Sequence, residues 1–144
     1  MVKNKENVVS VQIIAFCFVA MLVFSGCSNK IKVGGTVHFD DGTPLDVGEV
    51  YLSNGTFMFS GSIQPDGTFS LGELKDGDGI PPGNYRVWIA GANPLPPTID
   101  EIQAGAVAAP LKIPVKYTDR DQSGLTFEAK PGGPKTIDIV VEKP

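Results

Sequence analysis

"GGTVHFDDGTPLDVGEVYL", residues 34–52, decides the fold. Val37 and Phe39 fall on one side of an extended chain, with Val33 and Gly35, while Gly34, Thr36 and His38 fall on the other. A turn sequence, "DDGTP", interrupts the pattern, and it resumes with Val50 and Leu52 opposed to Glu49 and Tyr51. Alternation with period two marks strands that bury one face. The Asp-Gly pair between them marks a tight turn, because Asp bonds locally to the backbone and Gly supplies a positive φ.

The same grammar extends along the chain. "TFMFSGSIQ" (residues 56–64) offers Phe57, Phe59 and Ile63 to a core, and "TFSL" (68–71) offers Phe69 and Leu71. "NYRVWIA" (84–90) sets Tyr85, Val87 and Ile89 against Asn84, Arg86, Trp88 and Ala90. "LTFEA" (125–129) gives Leu125, Phe127 and Ala129, and "TIDIVVE" (136–142) gives Ile137, Ile139 and Val141. "PDGT" (65–68) and "DGIPPGNY" (78–85) punctuate the strands. Seventeen glycines and twelve prolines disfavour long helices, and 144 residues suit one domain. The expected fold is all-β, a seven-stranded antiparallel sandwich over residues 32–144.

Residues 1–26 differ in kind. Lys3 and Lys5 precede an uncharged apolar segment, "IIAFCFVAMLVF" (13–24), of signal-peptide rather than membrane-spanning length. "VFSGC" (23–27) then resembles the bacterial lipobox, in which small residues precede a cysteine that is acylated after cleavage. That resemblance implies cleavage between Gly26 and Cys27, lipidation of Cys27, and a short tether over residues 27–31. Phe24 departs from the aliphatic residue usual there. Cys17 would be lost with the signal, so the remaining chain carries one cysteine and no internal disulfide. Ser28 in place of Asp favours the outer membrane in a cell that has one. The expected location is the cell envelope, with the membrane engaged through the lipid anchor.

"GGTVHFDDGTPLDVGEVYL", "GSIQPDGTFSLG" (61–72) and "GDGIPPGNYRVWIAG" (77–91) together resemble the carboxypeptidase regulatory-like domain, a transthyretin-like seven-stranded sandwich. The resemblance covers roughly residues 32–91, and "IPVKYTDRDQSGLTFE" (113–128) is similar to the tail of small lipoproteins of this type. It implies a non-catalytic binding module whose partner is an envelope protein or a surface glycan. The related 5-hydroxyisourate hydrolases need several histidines and a terminal Tyr-Arg-Gly-Ser. This chain has one histidine and ends "VVEKP", so that activity is not expected.

Few residues offer chemistry. The net charge of −4 is scattered and no basic stripe follows a phosphate backbone, so nucleic acid is not an expected partner. His38 lacks the companions a metal site or triad requires and reads as a solvated strand residue. Asp76 and Asp78 in "KDGDGI" (75–80) resemble the start of a calcium loop, but Ile80 occupies the next ligand position. Lys32, Asp138 and Glu128 are the trio an internal isopeptide bond would use. Asp138, however, is out of phase with the core-facing Ile137 and Ile139. Nothing calls for a cofactor, and an enzyme is not expected. Trp88, outward beside Arg86 and Tyr51, is a candidate contact patch for a protein or a sugar. Residues 91–115 have no clean period. The plain expectation is a crossover that covers a sheet edge and folds back over Trp88; the sharper one is a partner-binding loop.

Overall fold

The computed structural model describes residues 30–73 and 77–144. Gly26 and Cys27, expected to flank the cleavage site, and Asp76 lie outside the described residues. Seven strands form where alternation placed them: β1 Gly34–Phe39, β2 Glu49–Ser53, β3 Met58–Ser62, β4 Thr68–Ser70, β5 Gly83–Ala90, β6 Leu125–Ala129 and β7 Thr136–Val141. One short helix, α1 (Ile99–Gln103), and a 3-10 turn (Val115–Thr118) lie between β5 and β6. The strands make two sheets, β4-β1-β7 and β3-β2-β5-β6. Both contribute to one core, with Val37, Leu71, Ile139 and Val141 from the three-stranded side and Val50, Leu52, Val87 and Ile89 from the other. The architecture is mostly β and sandwich-like.

The expectation of a wholly antiparallel fold is corrected at one place. β1 pairs parallel with β7, from Gly34 opposite Thr136 to Phe39 opposite Val141. The reason lies in where β6 ends. β6 runs antiparallel to β5, so Ala129 arrives opposite Gly83, at the end of the molecule where the described chain begins. That end is fixed by the bridge between Ile31 and Ile80. Residues 130–135 carry the chain to the other sheet, and β7 leaves this pole in the same direction as β1. Alternation reports which side a residue faces and is blind to strand direction.

β1 sits between two close neighbours, and its glycines make that possible. A Cβ on Gly35 would lie 1.9 Å from the carbonyl oxygen of Ile137, and one on Gly34 would lie 2.6 Å from that of Phe69. The two Asp-Gly-Thr turns have the same local structure. Asp41 accepts from the Thr43 amide at 3.0 Å and Asp66 from the Thr68 amide at 3.0 Å, with Gly42 and Gly67 both at positive φ.

Two further expectations are revised. Phe57 is exposed rather than in the core, because it closes the β2–β3 turn. There the Asn54 side chain accepts from the amides of Thr56 and Phe57, and β3 begins one residue later. The long segment after β5 is not a crossover between sheets, since β5 and β6 are antiparallel neighbours in one sheet. Within it Ala92 and Ile113 are buried and residues 98–112 are exposed, while Trp88 is half-buried.

Candidate functional site

The pairing of β3, β2, β5 and β6 sets the outward face of the four-stranded sheet in rows. Ser60, Tyr51 and Trp88 form one row, and Met58, Ser53, Arg86 and Thr126 form the next. Tyr51 and Trp88 are directly opposed, and their rings stack with centroids 5.4 Å apart and planes 15° from parallel. Such cross-strand aromatic pairs stabilise a sheet by about 0.5–1.5 kcal/mol beyond the area they bury. The Tyr51 hydroxyl donates to Glu49 at 2.7 Å, and this bond, with some burial, raises the phenol above its ordinary pKa. Both rings are half-buried, and each has one face occupied by the other.

Arg86 lies on the same face, one row away, as alternation requires. Its guanidinium donates to Asp121, to which Arg120 also donates, at 3.3 Å. The two arginines, Arg120 foremost, hold Asp121 below the usual carboxylate range. The three patch residues Tyr51, Trp88 and Arg86 therefore share a face, but the arginine is committed to Asp121.

Beyond Arg86 the sheet opens into a groove of about 570 Å³. Asn54, Asn84, Arg86, Arg120, Thr126 and Glu128 line it. Asn84 and Glu128 are opposed across β5 and β6, and Asn54 comes from the β2–β3 turn. Glu128 pairs with Lys130 at 2.9 Å. Beside Tyr85 and Phe127, the lining supplies amide, hydroxyl, guanidinium and carboxylate groups, a set that forms hydrogen bonds. Asn54, Asn84 and Arg120 escaped sequence reasoning. The first two are alternation-outward or turn residues without a motif, and Arg120 lies 34 positions from Arg86.

His38 faces outward and is partly exposed, as its phase implied, and both of its ring nitrogens have hydrogen-bond partners. Its Nε2 meets Asp138 Oδ1 at 2.9 Å and its Nδ1 meets the Phe39 carbonyl oxygen at 3.0 Å. Two acceptors require two ring protons, so the Phe39 carbonyl and the Asp138 carboxylate raise the imidazole above its ordinary value against a modest burial penalty. Thr36 donates to the same Asp138 oxygen at 3.0 Å. Parallel pairing of β1 with β7 creates this cluster from residues 100 positions apart.

The remaining candidate residues lie apart. Asp138 faces outward, as its phase implied, and engages Thr36 and His38 rather than Lys32; Glu128 engages Lys130. Asp78 accepts from the Glu73 amide at 2.7 Å and lies 3.8 Å from Lys30. It thus serves to close its own loop onto the start of the described chain. Among the described residues, no three His, Cys, Asp or Glu side chains converge on one point. No protein-family model, curated protein or solved structure matches the chain.

Proposed function

We propose that this is a lipid-anchored cell-envelope protein whose transthyretin-like, carboxypeptidase regulatory-like sandwich binds a partner without catalysis. The observation that carries the binding reading is the open groove of about 570 Å³ on the outward face of β5 and β6. Its hydrogen-bonding lining stands beside the Tyr51–Trp88 stack. The lipobox resemblance at Cys27 supports the anchor, with the outer membrane favoured by Ser28. That His38 is the only histidine supports a non-catalytic module.

The test has two arms. Cys27→Ala leaves no mature-size chain in the membrane fraction, and if the variant still fractionates with membranes at mature size the anchor reading fails. A photo-cross-linking residue at Asn84, introduced in intact cells, captures an envelope partner. Recovering nothing from Asn84 while a probe elsewhere on the chain succeeds would sink the groove as the contact.

One observation favours a second reading, a carbohydrate-binding accessory lipoprotein. Planar amides at Asn54 and Asn84, with Arg86 and Glu128, are the groups that read sugar hydroxyls. Tyr51 and Trp88 contribute less to stacking than an open aromatic platform, since each already covers one face of the other. Under this reading Asn84→Ala abolishes glycan binding and Trp88→Ala weakens it; under the first, glycans do not bind at all.

A further inference from the structure

The segment between β5 and the 3-10 turn joins the core only at its neck, through Ala92 and Ile113. Its neck is pinned by one side chain. Asn93 Oδ1 accepts from the amides of Lys112 at 2.8 Å and Ile113 at 2.9 Å, and its Nδ2 donates to the Ile113 carbonyl at 2.9 Å. Ala92 and Ile113 are buried beside it, and Lys112 pairs with Asp46 at 2.9 Å. Above the neck stands α1, closed by a complete capping box. Thr98 accepts from the Glu101 amide, and the Glu101 carboxylate accepts from the Thr98 amide at 2.7 Å.

What this scaffold presents is apolar. Leu95 and Val107 are each 90% exposed, Ile99 is 75% and Ile102 is 56%. Ile99 and Ile102, three residues apart on a helix, share a face. Between residues 94 and 111 the only charged side chains are Asp100 and Glu101, so the tip carries −2 and no cation. Glu101 serves the cap, whereas Asp100 makes no ion pair among the described residues. Long loops that are structured but unpacked are characteristically binding elements.

We infer that residues 94–111 form a protein-docking tip that inserts Leu95, Ile99 and Val107 into an apolar cleft rimmed by lysine or arginine on another protein. The charge selects the occupant. An apolar element of net charge −2 is repelled by an anionic bilayer, whose surface attracts polybasic segments. It is complementary to a cleft with a basic rim. Position agrees. β5 starts at Gly83, beside the Ile31–Ile80 bridge, and ends at Ala90, where the segment begins. The tip thus projects from the pole opposite the start of the described chain. The inference draws on the proposed anchor only for the statement that this pole faces away from the membrane.

The experiment uses the full chain in intact cells, with a photo-cross-linking residue at Val107. The expected result is one discrete protein adduct, whose cross-linked peptide neighbours Lys or Arg. Its yield falls about tenfold or more with Ile99→Glu, as expected for burying a large aliphatic side chain, and about threefold or more with Asp100→Lys. Gln64→Ala, exposed and in neither surface, leaves the yield unchanged. An adduct to lipid alone, an adduct to a second copy of this chain, an adduct indifferent to Ile99→Glu, or no adduct overturns the inference. Because Ile99 and Asp100 are exposed, neither substitution removes core packing, and an unchanged unfolding midpoint confirms that the folded chain is being read. Cross-linking from Asn84 succeeds or fails separately, which keeps this result distinct from that of the groove.

Discussion

Asn93→Ala tests whether one side chain holds the neck of the projecting segment. The substitution deletes three hydrogen bonds of 2.8, 2.9 and 2.9 Å. The consequences differ by site. Lys112 is exposed, so its amide regains water, whereas Ile113 is fully buried and its amide does not. A buried donor left without a partner costs about 1–3 kcal/mol, and each bond replaced by water about 0.5–1.5 kcal/mol. The sum expected for the three bonds is about 2–6 kcal/mol. Asn93→Asp provides the control: it keeps both amide donations but sets a carboxylate oxygen against the Ile113 carbonyl, so its loss is comparable or smaller while both amides stay bonded. Urea unfolding of a chain starting at residue 27 with Cys27→Ala gives the energies. Hydrogen exchange at Lys112 and Ile113 gives the location. A cost below about 0.5 kcal/mol for Asn93→Ala, with Ile113 still protected, would refute the reasoning.

Gly35→Ala requires β7 to retreat, because the added methyl meets a backbone oxygen at 1.9 Å rather than a side chain that can swing away. A loss of at least about 3 kcal/mol by urea unfolding is expected, at the severe end of overpacking, and a near-neutral variant would mean that β1 and β7 are not so closely paired. His38 titrates above its ordinary 6.5, so its contribution is fully present below pH 6.5 and fades as pH rises through the folded value. NMR titration reads the shift directly, and Asp138→Asn lowers it; a folded pKa at or below 6.5 contradicts the two-acceptor geometry. Trp88 is the only tryptophan, so its emission reports on the stack with Tyr51. Tyr51→Ser is expected to move that emission to longer wavelength and cost about 1–2 kcal/mol; unchanged emission would show that the rings do not stack.

Strand positions were legible because a buried face leaves a period of two in any direction of travel. Ile137 and Ile139 read correctly as core residues whether β7 runs with β1 or against it. For the same reason the partnership of His38 with Asp138 was illegible: it depends on the parallel register that brings Thr36 opposite Asp138. Phase also failed at Phe57, in step with Phe59 but beyond the last covered row of the sheet. The outward set of Tyr51, Arg86 and Trp88 was legible as a face. The groove beside it was not, since it needs Asn84 and Glu128 to be opposed across β5 and β6 and Arg120 to return after a long excursion. The glycine pair at the start of β1 read as small residues in an alternating strand; its real demand is backbone crowding, which only the neighbours reveal.

The direction of β5 connects the two binding proposals and keeps them apart. The groove's Asn84 lies one residue into the strand, near the bridge of Ile31 to Ile80, while the projecting segment starts after its last residue. The six steps from Asn84 to Ala90, at about 3.3 Å each, separate them by about 20 Å along the sheet. A small ligand filling a groove of about 570 Å³ cannot also touch Leu95 or Val107. Under the proposed anchor at Cys27, the groove would face material close to the bilayer and the tip material beyond it. Lengthening the tether by a flexible insertion after Ser28 therefore discriminates between them. Contact through the groove weakens as the sandwich lifts from the surface, whereas contact through the tip changes only in reach. Equal loss at both surfaces would mean that the sandwich is not oriented by this strand, and the assignment of near and far poles would fall with it.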